Sequence, residues 1–314
     1  MKILITGGAG YIGSKLVSHL FNKPKFWDPL EITVYDNLMY NQLSVLPHIG
    51  NPNFRFVRGD VRDSKKLLKE VEKADKVIHL AAWVGAPMCE EDPRGALEVN
   101  QYSTADIAHH LSPNQEIIYP MSNSGYGVGG EDFCTEESPL NPISVYGTTK
   151  AESEKYVLEH PKSTVLRLAT VFGPSPRPRI DLLVNDFTWR AWKEKCLVLF
   201  ESHFRRNYIH VSDVCRAMEH FLNEGGTQNI YNVGLSDANL TKKELALAIQ
   251  KVLPDTAIIE SEIGSDPDKR DYIVSNDKIE ALGWKPKYSI EDGVKQLLEM
   301  FPIIDNVNYE LRNS

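Results

Sequence analysis

The most constraining feature of this 314-residue chain is its amino-terminal segment. Lys2–Thr6 is a short run of leucine and β-branched residues, typical of a strand that is buried on both faces. Three glycines follow at intervals of three, Gly7, Gly10 and Gly13, and apolar residues then recur with helical spacing from Ile12. A strand, a glycine turn and a helix in this order indicate a dinucleotide-binding βαβ unit, whose helix N-terminus holds a pyrophosphate on free N–H groups. A plain turn also produces such glycines, but the flanking strand and helix favour the nucleotide interpretation.

Composition narrows the class of protein and its partners. The net charge of −8 argues against binding to nucleic acid or to an anionic membrane. No apolar run reaches transmembrane length and no signal-peptide pattern opens the chain, so we expect a cytoplasmic protein. Four cysteines lie far apart without metal-ligand spacing, which predicts reduced thiols and no metal site. They are Cys89, Cys134, Cys196 and Cys215.

Strand and helix patterns alternate through the first half of the chain. This alternation predicts a Rossmann-type α/β fold with a doubly wound parallel sheet. The predicted strands span residues 2–6, 31–35, 54–57, 76–80, 116–120 and 164–169. The predicted helices span residues 64–72, 93–111, 146–159 and 290–301, with a further capped helix that ends at Leu253. Beyond Gly173 the pattern loosens, so we expect a cofactor domain over 1–173 and a smaller α/β substrate lobe over 174–314, with some elements crossing between them.

A carboxylate ends the second predicted strand. Asp36 lies 23 residues beyond Gly13, close to the offset at which an acid binds the ribose 2′-hydroxyl of a dinucleotide. No arginine follows it directly, so a 2′-phosphate would be repelled and NAD is favoured over NADP. Asp36-Asn37 is also a turn-forming pair, and both roles can hold together.

The most specific chemical signal is a tyrosine and a lysine four residues apart, Tyr146 and Lys150, near the start of a predicted helix. This spacing places both side chains on one helix face. A free tyrosine titrates near pH ~10, and a nearby ammonium would lower the pKa of the phenol. Tyr146 is therefore a candidate base for a sugar hydroxyl, with Lys150 as the supporting cation. An exposed helix pair is the alternative, which the preceding dinucleotide unit disfavours.

A serine at the end of the fifth predicted strand completes the candidate catalytic set. The Ser122 hydroxyl could lie beside Tyr146 and share a hydrogen bond with the substrate oxygen. Ser124 competes for this role, and either serine could instead belong to a turn.

Taken together, the chain resembles an extended short-chain dehydrogenase/reductase of the nucleotide-sugar epimerase and dehydratase group. The matching segments extend over nearly the whole chain. They are GGAGYIG at 7–13, DNL at 36–38, GDV at 59–61, HLAA at 79–82, Asn100, the Ser122 segment, YGTTK at 146–150, RNYIHVSDV at 206–214 and LGWKP at 282–286.

The resemblance implies a set of cofactor and substrate contacts. The implied NAD contacts are Gly7, Gly10, Tyr11, Ile12, Gly13, Asp36, Asn37, Asp60, Val61, Leu80, Ala81, Ala82, Asn100, Tyr146 and Lys150. Ser122 matches the catalytic Ser/Thr of the family and is preferred to Ser124 for that reason. Arg206 would bind the substrate diphosphate through its guanidinium fork. Arg177, Arg179, Arg270, Asn185 and Ser124 complete the implied substrate set.

Departures from the family pattern restrict the reaction. The 4,6-dehydratases of the family place Asp-Glu directly after the catalytic Ser/Thr, whereas this chain has Asn123 and Ser124. A glutamate at the Ser124 position is typical of UDP-glucuronate decarboxylases, and the related keto-sugar reductases mostly use NADPH, which Asp36 disfavours. The expectation is NAD-dependent oxidation of a sugar hydroxyl, typically at C4, giving net epimerisation or net dehydrogenation. A 4,6-dehydratase and a non-catalytic NAD-binding scaffold are the alternatives.

Two further departures concern substrate binding. Thr170 replaces the usual asparagine of N-V-Y-G-P, and the R-P-G-D loop reads DPDK at 266–269 before Arg270. Arg177 and Arg179 are the expected replacements for diphosphate binding, with solvated loop cations as the alternative. The segments 167–170 and 181–187, with HFRRNYIHV and DPDKRDY, resemble the bacterial branch that includes GDP-manno-heptose 4-dehydrogenases. The nucleotide base and the sugar are left open.

A homodimer is also implied by the resemblance, through a four-helix contact between the helices at 93–111 and 146–159. The apolar residues Val145, Ala151 and Leu158 could form the contacting stripe, or could equally pack inward.

Overall fold

A computed structural model describes residues 1–23, 29–261 and 270–305 of the chain. The strands are β1 Lys2–Thr6, β2 Glu31–Asp36, β3 Phe54–Arg58, β4 Lys76–His79, β5 Glu116–Ser122, β6 Ser163–Leu168, β7 Thr170–Phe172, β8 Cys196–Phe200, β9 Arg205–His210, β10 Asn229–Val233, β11 Asn239–Thr241 and β12 Ala257–Ser261. The α-helices are α1 Tyr11–Phe21, α2 Ser64–Val71, α3 Ala86–Glu91, α4 Pro93–Ala96, α5 Ser103–His110, α6 Val145–Leu158, α7 Leu183–Lys193, α8 Val211–Glu224, α9 Lys242–Val252, α10 Asp277–Glu280 and α11 Ile290–Ile304.

The large sheet confirms the predicted doubly wound fold. Its strand order is β10-β6-β5-β4-β1-β2-β3, and every pairing in it is parallel. The order reverses between β1 and β4, which opens a crevice at the carboxyl ends of these strands where such folds bind ligands. All six strands predicted from the sequence lie in this sheet, with ends that differ by one or two residues.

The seventh strand of the sheet comes from the second half of the chain. β10 pairs in parallel with β6, from Asn229 opposite Thr164 to Val233 opposite Leu168. The second half also forms two small sheets, ordered β11-β9-β7 and β12-β8. Residues of both halves share one buried apolar cluster, for example Leu16 of α1 and Phe221 of α8. Residues before and after position 173 therefore share one hydrophobic core. The division into domains at 1–173 and 174–314 stays a prediction.

The predicted long helix at 93–111 is interrupted by a π-helical turn. Leu97–Tyr102 separates α4 from α5. The Ser103 hydroxyl donates to the Val99 carbonyl at 2.6 Å, and the Thr104 hydroxyl donates to the Asn100 carbonyl at 2.6 Å. Such side-chain bonds compete for helix carbonyls, which explains the wider turn at this position.

Two of the three apolar residues suggested for a dimer contact, Ala151 and Leu158, pack inward. Ala151 lies in a buried cluster beneath the sheet, and Leu158 packs against the same cluster. The outward residues of α6 are polar or charged, such as Lys155. The homodimer therefore stays a prediction, and the apolar stripe does not support it. Among the described residues, no helix has both the length and the hydrophobicity needed to cross a membrane. The DPDK segment at 266–269 lies outside the described residues.

Candidate active site

A cleft of about 880 Å³ lies at the carboxyl ends of the central strands. Its walls come from both halves of the chain. Most of the residues that the sequence assigns to the cofactor or the substrate line it: Gly7, Gly10, Tyr11, Ile12, Gly13, Asp36, Asn37, Asp60, Val61, Leu80, Ala81, Ala82, Ser122, Tyr146, Lys150, Arg177, Arg179, Arg206 and Arg270. Asn100, Ser124 and Asn185 lie outside this lining.

The glycine turn has no room for side chains. Gly7 has φ +66°, and a Cβ there would lie 2.7 Å from the Ala81 nitrogen. A Cβ at Gly13 would lie 2.5 Å from the Gly7 oxygen. Helix α1 follows with Gly10 as N-cap and no capping side chain, so its first N–H groups face the cleft without competition from a cap. The turn therefore fits the pyrophosphate of a dinucleotide.

Asp36 is buried at the far end of the cleft, where an adenosine ribose would lie. One carboxylate oxygen accepts from the Ala9 nitrogen at 3.0 Å, and the other accepts from the Leu38 nitrogen at 2.8 Å and from Gln42 Nε2 at 3.1 Å. Burial raises the pKa of Asp36, and these backbone bonds together with the charge of Arg177 oppose the rise. The carboxylate is thus fixed in orientation while still facing the cleft.

The second acid of the cofactor region, Asp60, is held by Arg62, which lies in no family motif, and by Asn37 of the DNL motif. Arg62 donates to both of its carboxylate oxygens, at 2.9 and 2.8 Å, and Asn37 Nδ2 donates at 3.2 Å. The hydrogen bond from the Arg62 side chain is the largest cause that lowers the pKa of Asp60 to about 2. The bidentate pair between neighbouring surface residues keeps this acid ionised at the adenine end.

Asn100 supports the cleft wall from behind. Its side chain accepts from the Trp83 nitrogen at 2.7 Å, and donates to the Trp83 carbonyl at 3.0 Å and to the Thr149 hydroxyl at 3.2 Å. These bonds join the segment after β4 to the helix that carries Tyr146 and Lys150. Asn100 thus helps to position Trp83 and helix α6, which line the cleft, although its own side chain does not line it.

Tyr146 and Lys150 both line the cleft from the first turns of α6. Ser144 caps this helix by accepting from the Gly147 nitrogen at 3.1 Å. Lys150 Nζ lies 3.9 Å from the centroid of the Tyr119 ring on β5. Ser122, the last residue of β5, lines the same cleft, and its hydroxyl lowers the pKa of Tyr146. The structure thus brings together the three residues that the sequence proposes as catalytic, whose roles stay predictions.

The protonation of the pair differs from the sequence expectation. Burial raises the pKa of the Tyr146 phenol to about 12, against the charges of Arg270 and Arg179 and the Ser122 hydrogen bond. Burial also lowers the pKa of the Lys150 ammonium to about 7. Desolvation therefore outweighs the predicted stabilisation of a phenolate by Lys150, because both groups are removed from water.

The substrate end of the cleft is lined by cations from the second half of the chain. Arg206 Cζ lies 5.6 Å from the Tyr272 ring centroid, and its Nη1 donates to the Arg205 carbonyl at 2.9 Å. Arg270 is the strongest charged neighbour of Tyr146. Lys242, which sequence reasoning missed, also lines this region, with Nζ donating to the Phe200 carbonyl at 2.9 Å.

Two of the proposed substrate residues shape loops. Asn185 is buried, accepts from the Gly173 nitrogen at 3.0 Å and donates to the Arg179 carbonyl at 2.7 Å. The Ser124 side chain is buried outside the cleft lining, and its nitrogen donates to Ser122 Oγ at 3.2 Å. Direct substrate contacts from these two residues stay predictions.

Comparison with known proteins agrees with this geometry. Residues 3–234 match the model of the NAD dependent epimerase/dehydratase family. The chain is 29% identical over 319 residues to dTDP-D-glucose 4,6-dehydratase of Mus musculus, with 96% of this chain and 88% of that protein covered.

Two solved structures illustrate the similarity. DesIV, a dTDP-glucose 4,6-dehydratase from Streptomyces venezuelae with NAD and TYD bound, has a TM-score of 0.84 and 26% identity, covering 97% of this chain and 98% of that one. The UDP-glucose 4-epimerase of Thermus thermophilus in complex with NAD has a TM-score of 0.81 and 26% identity, covering 96% and 99%. The chain therefore belongs to the NAD dependent epimerase/dehydratase family, as its motifs predict, and NAD is the cofactor of that family.

Proposed function

We propose that the protein oxidises the C4 hydroxyl of a nucleotide-diphosphate sugar without eliminating water. The observation that carries this proposal is the identity of the residues around Ser122. Ser122 lines the cleft together with Tyr146, whereas Asn123 and Ser124 are neutral, buried and outside the cleft lining. The chain therefore lacks carboxyl groups at the two positions where the family's dehydratases carry Asp-Glu.

The side chains have separable roles in this reaction. NAD, when bound, accepts the hydride from the sugar carbon. Tyr146 removes the hydroxyl proton, and Arg270 and Arg179 favour the phenolate that this step requires. Ser122 orients the phenol and shares the substrate oxygen. Arg206 binds the diphosphate, which fixes the position of the sugar beside Tyr146.

Two net reactions follow from the same first step. Return of the hydride to the opposite face of the sugar carbon gives an epimer, and release of the keto sugar gives net dehydrogenation. A GDP-heptose is one substrate consistent with the sequence resemblance, and UDP- and dTDP-hexoses are consistent with the family.

A 4,6-dehydratase is the second candidate, since relatives such as the mouse enzyme carry that name. On this chain, the reaction would need a carboxyl group from elsewhere in the cleft lining. Besides Asp36 and Asp60, that lining contains Glu90 on α3, Asp181 and Asp186, of which Asp181 and Asp186 are paired with arginines.

The deciding experiment incubates the purified protein with NAD and a panel of UDP-, dTDP- and GDP-sugars in deuterated water. Mass spectrometry and NMR then identify each product. An unchanged carbon skeleton with inverted C4, or the loss of two hydrogens, supports the proposal. The loss of water contradicts it, and Glu90→Gln then tests the alternative acid. Tyr146→Phe should abolish turnover while leaving NAD affinity within about threefold, because the ring and its packing are kept.

The homodimer is a further proposal from the family resemblance. Tyr102 is 55% exposed on the π-helical turn, on the surface where the two helices would meet a second copy. We expect Tyr102→Glu to convert a dimer into a monomer by light scattering, and a wild-type protein that is monomeric at all concentrations would contradict the proposal.

A further inference from the structure

The loop at residues 173–179, here called the clasp loop, is fastened to the first turn of α1. The Tyr11 hydroxyl donates to the Gly173 carbonyl at 2.7 Å, and the Ser175 hydroxyl donates to the Tyr11 carbonyl at 2.6 Å. The Arg177 nitrogen donates to Ser14 Oγ at 3.3 Å. A segment that follows β7 thereby lies across the helix N-terminus that forms the pyrophosphate cradle.

The clasp loop carries the Arg177 side chain to the adenosine end of the cleft. Its guanidinium carbon lies 4.6 Å from the centroid of the Tyr40 ring, and the residue is only 4% exposed. Tyr40 belongs to the loop after β2, and its hydroxyl donates to Met88 Sδ at 3.4 Å. Arg177 is also the charged neighbour of Asp36, the acid at the ribose position.

The other arginines of the cleft are placed differently. Arg270 and Arg179 act on Tyr146, at the reacting end, and Arg206 lies against Tyr272. Arg177 therefore has different neighbours from Arg179 and Arg206, with which the sequence analysis grouped it for diphosphate binding. Its neighbours, the glycine turn, Asp36 and Tyr40, are those expected around the adenosine half of the cofactor.

We propose that Arg177 binds the adenosine-side phosphate of NAD and that the clasp loop closes over the cofactor, holding it in the cleft between cycles. A planar guanidinium pairs with two phosphate oxygens at once, and stacking on Tyr40 fixes its plane for that purpose. Departure of the cofactor requires Arg177 and Tyr40 to separate. The proposal depends on NAD binding and is independent of the reaction at the sugar.

The test compares binding affinities of purified protein stripped of nucleotide. The proteins are wild type, Arg177→Met, Arg177→Lys and, as a matched control, Arg94→Met, whose arginine is 89% exposed and outside the cleft lining. Calorimetry gives the Kd for NAD, and separately for UDP, dTDP and GDP. Arg177→Met should weaken NAD binding by at least about tenfold, the effect of one charge-assisted hydrogen bond. Nucleoside diphosphate affinity should change by less than about twofold, and the control should match wild type.

Two results would overturn the proposal. One is weaker nucleoside diphosphate binding in Arg177→Met with unchanged NAD affinity, which would mean that Arg177 binds the substrate diphosphate. The other is unchanged affinity for both. If Arg177→Met does not fold, Ser14→Ala provides the test. This variant keeps Arg177 but removes the hydroxyl that accepts a hydrogen bond from the clasp loop. We expect Ser14→Ala to release NAD several-fold faster in stopped-flow displacement, and an unchanged release rate contradicts the proposal.

Discussion

Arg167 on β6 donates two hydrogen bonds to the carboxylate of Glu154 on α6, at 2.6 and 3.0 Å, and both side chains are buried. Arg167 also donates to the Tyr126 hydroxyl and to the Glu136 carbonyl. This pair fastens the helix that carries Tyr146 and Lys150 to the central sheet. The position of the candidate base therefore depends on a buried ion pair two turns further along its own helix.

Glu154→Gln should destabilise the fold strongly, because it leaves the buried guanidinium of Arg167 without its counter-charge. Removing one partner of a buried pair costs about 3–5 kcal/mol. Urea denaturation measures the loss, and Glu152→Gln on the exposed face of α6 should change stability by less than about 1 kcal/mol. A double variant, Glu154→Leu with Arg167→Met, should lose less than Glu154→Gln, and equal losses would contradict this account.

Lys150→Met should stabilise the fold in a pH-dependent manner. The Lys150 pKa falls from its ordinary value of 10.5 to about 7 on folding. Between these values the unfolded chain binds more protons than the folded chain, so wild-type stability rises with pH across that window. The advantage of Lys150→Met in free energy of unfolding should thus be greatest below pH 7 and shrink toward pH 10. Urea denaturation at pH 6 and pH 9 measures it, with exposed Lys155→Met as control. A pH-independent difference would refute the burial effect.

Ser122→Ala should lower kcat by about 10²-fold or more, the usual scale for a group that assists proton transfer. The Ser122 hydroxyl lowers the pKa of Tyr146, so its loss should also shift the ascending, low-pH limb of the pH–rate profile to higher pH, because the base is active as the phenolate. Ser124→Ala is the control, because that side chain lies outside the cleft lining. Steady-state kinetics across pH would contradict the assignment if Ser124→Ala were the more damaging change.

Gly13→Ala should abolish NAD binding and destabilise the protein. The added Cβ would lie 2.5 Å from the Gly7 oxygen and 2.5 Å from the Gly8 Cα, so the turn must deform. Gly130→Ala is a matched control, since among the described residues no atom lies within 4 Å of the added Cβ. Thermal melts with and without NAD should show a cofactor-induced shift in the control only. A shift of wild-type size in Gly13→Ala would mean that the turn tolerates a side chain.

Local patterns predicted the positions of six of the seven strands in the large sheet and the glycine turn. Lys2–Thr6 and its neighbours read as buried strands because parallel sheets covered on both faces need continuous apolar runs. The sequence analysis did not predict β10, because Asn229–Val233 mixes polar and apolar residues. This strand joins the sheet only through its pairing with β6. The sequence analysis also did not predict the π-helical turn, because hydrogen bonds from hydroxyl groups to helix carbonyls leave no periodic pattern in the sequence.

Some residues of the candidate site were predicted from the sequence, and others were found only in the structure. The spacing of Tyr146 and Lys150 placed them on one helix face, because four residues span slightly more than one helical turn of 3.6 residues. Sequence reasoning assigned no role to Lys242, Tyr40 or Tyr272, because these residues reach the cleft only when distant elements pack together.

The sequence by itself determined the strand–turn–helix that suits a dinucleotide and the chemical identity of the candidate base and its cation. These are consequences of residue type and short-range spacing, which the backbone enforces locally. Only the tertiary structure decided how those groups are charged and which arginine faces which end of the cleft. The pKa of Tyr146 follows from burial and from Arg270, and the orientation of Arg177 follows from its contact with Tyr40. Desolvation and charge proximity depend on distances in space between residues far apart in the chain.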